Sequence, residues 1–404
     1  MKSIATLFFR LVLFFEICWG AHAWFTWWCD AGKFGTYAVL FIMAAVTMLY
    51  QTSAGIRLTR SRNVLFGLFF FILAYFFRNH YAVLGTVRAV MIMYPVWVLL
   101  SDNREAVEGH LRFVSKILSV ILFIGIIEFL ILTIYPVPSF LIQYGDNPNY
   151  IFFNYIFSIQ YYEESALLLD LNRFNSVFLE PGYLSAMLIF MLYACRFDFS
   201  VRTNRIMLYS IIVSFSLAGY VMLALGFIFH QIENNRHEVR RVLSTVFLLF
   251  VFLELSVSYN GGDNIVNKLI VQRLQYDNEK GISGNNRISD VTVTYFEQGL
   301  KNGDIIFGLG REEVDRINGG RLSTFDHDSI AGTGAVFYFV VFGIVSAIFF
   351  LLFYLMVSRV CPNRGYSGYF VVLIVACFIQ SACPESMSWF YPFVLGIKAY
   401  DYDY

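Results

Sequence analysis

Apolar residues fall in long blocks separated by shorter polar turns. The blocks run at about 4 to 22, 36 to 50, 64 to 77, 81 to 100, 114 to 135, 183 to 195, 206 to 230, 241 to 257, 330 to 356, 367 to 383 and 387 to 397. Several are shorter than the ~20 residues that a perpendicular membrane helix needs, so tilted, broken or partly buried helices are expected. The block at 206 to 230 is interrupted at Ser214-Phe215-Ser216-Leu217-Ala218-Gly219, where small and hydroxylated residues can carry a tight turn buried by neighbours.

Loop charge orients these blocks. Arg57, Arg60 and Arg62 lie between the second and third, and Arg104, Arg112 and Lys116 follow the fourth, so both connections are expected in the cytoplasm. Arg196, Arg202 and Arg205 mark another inside loop, Arg236, Arg240 and Arg241 a further one, and Arg359 with Arg364 a third. If the loops at 196 to 205 and 231 to 241 are both inside, residues 206 to 230 must enter and return as two short helices. The expected architecture is therefore an all-α polytopic membrane protein of about 11 to 12 transmembrane segments with both termini inside. Residues 1 to 135 form the N-terminal helices, 136 to 182 a first long outer loop, 183 to 257 the central helices, 258 to 329 a second long outer loop, and 330 to 404 the C-terminal helices with a short tail. A single span at 206 to 230 is the rival, and it would put the two long loops on opposite sides.

Composition strengthens the membrane reading. Of 404 residues, 58% are hydrophobic and 14% charged, against about 45–50% and 25% in soluble domains. The 44 Phe and 26 Tyr suit lipid-facing stretches and membrane interfaces, and a net charge of zero argues against nucleic acid as a partner. The six cysteines, Cys18, Cys29, Cys195, Cys361, Cys377 and Cys383, form no CxxC pair and no framework. Residues 1 to 23 resemble a signal peptide through Ala21-His22-Ala23, but Arg10 and Glu16 interrupt the apolar run, and an uncleaved first helix is expected. The first long loop is rich in Tyr, Asn and acidic residues. The second carries Gly, Asn and charge, with short amphipathic helices expected at 264 to 276 and 287 to 300.

Three constellations carry chemistry. Arg173 and Glu180-Pro181-Gly182 precede the sixth block; Pro favours a helix start, so Glu180 is expected at the outer rim, equally readable as an ordinary boundary with snorkelling charge. Phe325-Asp326-His327-Asp328-Ser329 precedes the tenth segment, where Asp328 or Ser329 can cap the helix and His327 is either a site residue or a loop histidine without a role. Helices that start at one surface present unpaired N–H groups to a phosphate or diphosphate. The third set is basic: Arg287, and Arg311 after Gly308-Leu309-Gly310, with Lys268 and Arg273 upstream. Such a set can clamp a diphosphate through the planar guanidinium fork, although most arginines of this kind are merely solvated.

Arg88 and Glu254 lie within apolar blocks and are expensive there; Arg88, about two turns from the outer Arg78-Asn79-His80 turn, can join the same anionic site, while Glu254 can snorkel. Asp326-His327-Asp328 and Asp401-Tyr402-Asp403 could hold Mg²⁺, but arginines and helix ends make a metal unnecessary, and neither metal nor cofactor is expected. No GxxxxGK[ST] string occurs, so ATP hydrolysis has no support.

Together, Arg173 with Glu180-Pro181-Gly182, the Ser214 to Tyr220 turn, Asn286-Arg287, Gly308-x-Gly310 and His327 resemble the O-antigen polymerase and ligase superfamily (Wzy-like, GT-C-type) over about residues 170 to 345. His327 is followed here by Asp328, where the ligase branch has His-Asn or His-Ser. The resemblance implies a glycosyltransferase of the bacterial inner membrane with a periplasmic active face. It would polymerise undecaprenyl-diphosphate-linked repeat units, with a chain-length regulator and a flippase as partners. Arg173, Arg287, Arg311 and Arg88 would bind the diphosphate, and Glu180 or His327 would take the acceptor proton. A ligase passing glycan to a lipid A core, a flippase or transporter, and a non-catalytic scaffold are the alternatives.

Overall fold

In surroundings without water, a backbone satisfies its polar groups most cheaply by coiling, and the apolar blocks do so in the computed structural model. It describes residues 2–29, 33–80, 82–132, 134–135, 137–145, 150–162, 173–234, 276–277, 281–282, 289–319, 329–330, 332, 334–360, 367–380 and 384–399. The helices are α1 (Lys2–Gly20), α2 (Lys33–Ala54), α3 (Arg62–Arg78), α4 (Val83–Ser101), α5 (Arg104–Leu132), α6 (Pro181–Ala194), α7 (Arg202–Val213), α8 (Leu217–Asn234), α9 (Asp290–Asn302), α10 (Arg311–Ile317), α11 (Ala335–Ser358), α12 (Ser367–Ile379) and α13 (Met387–Ala399). Short 3-10 turns cover Trp24–Cys29 and Asp304–Ile306.

Five helices, α1, α2 from Gly35, α4, α5 and α11, are long and apolar enough to cross a membrane, and parts of α6, α8 and α12 are apolar but shorter. Their outward faces expose large apolar side chains, among them Phe41, Ile42 and Leu49 of α2 and Phe123 and Ile127 of α5. A soluble protein rarely exposes so continuous an apolar face. The chain is accordingly a mainly helical membrane protein. The apolar block at 241 to 257 with Glu254, the stretch 264 to 275 with Lys268 and Arg273, Arg287, the Phe325–Asp328 string with His327, and Asp401–Asp403 lie outside the described residues.

The expected break inside 206 to 230 is present. α7 ends at Val213, Phe215 takes φ 47°, and α8 begins at Leu217. The hydroxyls make the turn: Ser214 Oγ donates to Ile211 O at 2.6 Å, and Ser216 Oγ accepts from the Gly219 N–H at 3.2 Å as a helix cap. Gly219 packs on Ser185 near the start of α6, and Gly226 on Ile189 and Phe197 near its end. Thus α8 runs parallel to α6, and α7 returns between them.

The α2–α3 and α4–α5 connections meet the ends of α11 and α13 at one end of the bundle. Thr59 N donates to Ser101 Oγ at 2.9 Å, Asn63 Nδ2 to Arg359 O at 3.2 Å and Arg104 Nε to Ala399 O at 3.1 Å, which brings the flanking Arg57, Arg60 and Arg62 to this end. Beneath them Tyr50 OH donates to Asp102 Oδ2 at 2.6 Å and lies 3.0 Å from His110 Nε2, while His110 Nδ1 accepts from Arg10 Nε at 3.1 Å. Burial alone would push the Asp102 carboxyl up, but hydrogen bonds from His110, Tyr50 and the Asn103 N–H outweigh it and hold it below the usual carboxylate range. This buried cluster ties α1, α2 and α5 to the α4–α5 turn.

Two expectations need correction at the opposite, loop-rich end. The fold is not all-α: where short helices are expected in the first long connection, β1 (Phe140–Gln143), β2 (Ile151–Asn154) and β3 (Ile159–Tyr161) form an antiparallel meander in the register Phe140↔Asn154 and Phe152↔Tyr161. Short aromatic and β-branched runs suit a half-buried strand, and Trp27 beneath them supplies the cover. The second correction concerns the expected cap at Asp328 or Ser329. The helix starts later, at Ala335, with Gly334 at φ 109° before it. The chain is held in loop form because the Asn318 amide donates to Ile330 O at 3.1 Å and accepts from Ile330 N at 2.9 Å. Of the amphipathic helices expected in the second connection, the one at 287 to 300 is observed as α9, capped by Ser289 Oγ on the Thr292 N–H.

α11 is broken at Gly343, which takes φ 81°, ψ 156°. The carbonyls left open are answered from the second long connection: Leu309 N donates to Val340 O and Gly310 N to Val341 O, both at 2.8 Å. Gly308 and Gly310, at φ 74° and 84°, are glycines because this segment lies backbone to backbone against the break; a Cβ on Gly308 would sit 2.5 Å from Gly343 N. A Cβ on Gly343 would fall on the Phe307 carbonyl carbon. Gly343→Ala is therefore expected to cost roughly 3 kcal/mol, read as a lowered unfolding midpoint of the detergent-solubilised protein. Gly55→Asn, at φ 70° with open space around it, should stay within about 0.5 kcal/mol of the parent. Equal midpoints for both variants would refute this account of the break.

Candidate functional site

Glu180 is held by the chain before it. Leu179 N donates to His22 O at 3.1 Å and Trp24 N to Val177 O at 2.8 Å, an antiparallel pairing centred on the Ala23↔Phe178 bridge. Glu180 itself is extended, at φ −141°, ψ 152°, and Pro181 opens α6 as the sequence implies. Its carboxylate accepts from Tyr150 OH at 3.5 Å, a long bond. Upstream, Ser176 takes φ 51° and donates its hydroxyl to Phe157 O at 3.0 Å; both press against Gly125 of α5, where a Cβ would lie 2.6 Å from Phe157 O. Arg173 enters this segment half-buried and forms no ion pair among the described residues.

A second group centres on the α12–α13 turn, which sequence reasoning passed over. Gly182 in the first turn of α6 packs directly on the buried Gln380 amide, so a Cβ there would overlap it. Glu385 then pairs with Arg78 at 2.8 Å, and Ser386 Oγ donates to Gly20 O at 2.9 Å. The Arg78 guanidinium lies 4.4 Å from the centre of the Phe342 ring, and Arg311, at the start of α10, lies 5.8 Å from the same ring. His80, at φ 47°, packs against Gly310, whose Cβ would approach its ring to 2.6 Å. The backbone bonds at the Gly343 break thus carry Arg311 to Arg78. Arg88 is half-buried in α4, 6.0 Å from the Trp19 ring, and its buried Nε has no hydrogen-bond partner among the described residues.

Of the residues that the sequence singles out, Glu180, Arg173, Arg311 and Arg88 are described, and all four lie at the loop-rich end; Arg287 and His327 lie outside the described residues. Arg78, Glu385, Gln380 and His22 were missed. The signal for three of them was available: Gln380-Ser381-Ala382-Cys383-Pro384-Glu385-Ser386 is a polar interruption between two apolar blocks, and Arg78 ends one. His22 was hidden in an apparent cleavage site. Farther out, the Glu313 carboxyl is held below its usual range by the Arg316 fork at 2.5 and 2.9 Å, an exposed pair that contributes little to stability. Among the described residues no cluster of three or more His, Cys, Asp or Glu could hold a metal ion.

Guanidinium groups beside aromatic faces at the edge of an apolar bundle can receive an anionic group without full desolvation, and the forked donors suit phosphate oxygens. A carboxylate on a helix boundary can accept a proton or orient a hydroxyl. The Arg78–Glu385 pair is 15% and 7% exposed, so Glu385→Gln should leave a charge without its partner and cost about 3 kcal/mol, most of it regained in the Arg78→Gln/Glu385→Gln double variant. Thermal unfolding of the parent, Glu385→Gln, Arg78→Gln and the double variant in detergent gives the coupling, and additive losses would show that the pair does not act as a unit. Comparison of the chain with protein-family models, with curated proteins and with solved structures returned no match.

Proposed function

We propose that this chain polymerises lipid-diphosphate-linked oligosaccharide repeat units by glycosyl transfer at the periplasmic face of the bacterial inner membrane. One observation carries the reading: Glu180 and four arginines, Arg78, Arg88, Arg173 and Arg311, lie at the end of the bundle that bears both long connections. Among the described residues Arg57, Arg60, Arg62, Arg104 and Arg359 gather at the other end, which is the charge asymmetry of an inside face. The α7–α8 turn supports the two-helix parity that puts residues 136 to 182 and 258 to 329 on one side.

In this reading a hydroxyl of one lipid-linked repeat unit attacks the anomeric carbon of the growing glycan, and the carrier diphosphate leaves. Negative charge grows on the leaving oxygen, so fixed guanidinium groups near it lower the barrier more than they tighten ground-state binding. Arg173, Arg311 and Arg88 take that part, joined by Arg287, and Glu180 or His327 takes the acceptor proton. A ligase would use the same parts to pass finished glycan to a lipid A core. A transporter would place its ionisable groups near mid-membrane instead.

Neutral variants of Arg173, Glu180, Arg287, Arg311 and His327 should each reduce chain elongation by about 10²–10³-fold. Cells would then carry single repeat units in place of a glycan ladder, with membrane levels unchanged. Polymerised glycan retained on the carrier would identify a ligase, and normal ladders in every variant would remove the assignment. Sidedness has its own check: single cysteines at Ser200 and Arg236 should resist a membrane-impermeant thiol reagent in cells with a permeabilised outer membrane, and one at Leu300 should react. Labelling at Ser200 or Arg236 would overturn the orientation.

A further inference from the structure

Glu16 is the one acid in α1, and it is 0% exposed inside the bundle. Neither of its carboxyl oxygens has a hydrogen-bond partner among the described residues. Asp102 and Glu385, the other buried acids described, are answered by Tyr50 and His110 and by Arg78. A carboxylate held in apolar surroundings with neither donor nor cation is too costly to keep, so this group needs a proton or a positive charge. By the helical rise it lies about 6 Å below Gly20, where α1 meets α13 so closely that a Cβ on Gly20 would fall on Ser388 N.

Two groups share its surroundings. Tyr391 of α13 stands beside the carboxyl, and its only hydroxyl hydrogen goes to Ile92 O of α4 at 3.2 Å. Arg88 lies one helical turn from Ile92, and its guanidinium is 6.0 Å from the ring of Trp19, three residues along α1 from Glu16. The Arg88 Nε is buried and has no hydrogen-bond partner among the described residues. An unanswered acid and an unanswered guanidinium nitrogen therefore meet where α1, α4 and α13 pack. Tyr75 of α3 stands beyond Tyr391. On α2, Tyr37 donates to Leu84 O at the outer end, and Tyr50 meets His110 of α5 beside Arg10, nearly two turns below Glu16; Lys116 of α5 is exposed.

We propose that Glu16 is a proton-binding site within the bundle, with the Tyr391 hydroxyl receiving its acid form and the Arg88 guanidinium its carboxylate form. An acid O–H is a donor, and the Tyr391 oxygen keeps lone pairs for it while giving its own hydrogen to Ile92 O. A carboxylate is an acceptor only and finds no hydrogen at Tyr391 unless the bond to Ile92 breaks. It draws the Arg88 fork from the Trp19 ring instead, exchanging a cation–π contact for an ion pair. Only the Glu16 O–H bond forms and breaks, and the proton comes from water and returns to it. A divalent metal would require about six oxygens, and among the described residues no cluster of three or more His, Cys, Asp or Glu is present. Arg88 cannot serve Glu16 and a bound anion at once, so an anion that holds this guanidinium leaves the proton on Glu16. The site itself does not depend on the glycan-transfer reading.

Dicyclohexylcarbodiimide, an apolar reagent that attacks the acid form of a carboxyl group, should label the full-length chain in lipid nanodiscs at Glu16, as located by mass spectrometry. The label should fall as pH rises and be absent from Glu16→Gln. At a pH where the parent labels weakly, Arg88→Gln should label about tenfold more, because the carboxylate loses its cation. Infrared spectra give a second measurement on the parent and Glu16→Gln alone: the carbonyl stretch of a buried acid, moved by transfer to D₂O, should be present at low pH in the first and missing from the second. That measurement decides if Arg88→Gln does not melt like the parent. No label at Glu16 at any pH, a label that does not change with pH, no such infrared band, or equal labelling of the parent and a folded Arg88→Gln would each overturn the proposal. Sodium that blocks labelling at fixed pH where potassium does not would assign the site to a metal cation and overturn it as well.

Discussion

A helix packed among apolar neighbours cannot leave its carbonyls unanswered, and α11 opens two of them where Gly343 turns it out of helical geometry. The answer comes from the second long connection, whose Leu309 and Gly310 N–H groups close on Val340 and Val341. The loop-rich end depends on this exchange. It anchors a charged segment to the bundle, requires glycine on both sides of the contact, and sets Arg311 on the Phe342 ring that Arg78 also covers. A loop that merely lay on the surface would leave its arginines to water.

The two ends of the bundle use buried polar groups differently. At the short-loop end, Arg10, Tyr50, Asp102 and His110 bond to one another in one set. Such a set fixes helix register at the cost of desolvating several polar groups. At the loop-rich end Arg78 pairs with Glu385 and Tyr150 donates to Glu180, while among the described residues Arg173 forms no ion pair and the Arg88 Nε has no hydrogen-bond partner.

The meander stands against the same end of the bundle. Strand pairing orders it, and the pairing of residues 22 to 24 with 177 to 179 brings His22 and Trp27 beside it. Glu180 belongs to both neighbourhoods, at the boundary between the apolar helix α6 and the half-exposed aromatic surface.

Local pattern alone determined a great deal. Apolar block length marked most helices to within a few residues, Pro181 marked the start of α6, and the Ser214 to Gly219 stretch marked the α7–α8 turn, because helix boundaries are set by backbone chemistry within a few positions. The sequence also named Glu180, Arg173, Arg311 and Arg88, since a charge beside an apolar block is conspicuous. Only the tertiary structure decided what depends on distant partners: the meander over Trp27, the late start of α11 set by Asn318 on Ile330, the pairing of Arg78 with Glu385, and the arrival of His22 beside Glu180. Glu385 lies far along the chain from Arg78 and His22 from Tyr183, and a periodicity read over one turn of helix carries no information about a contact made across the bundle.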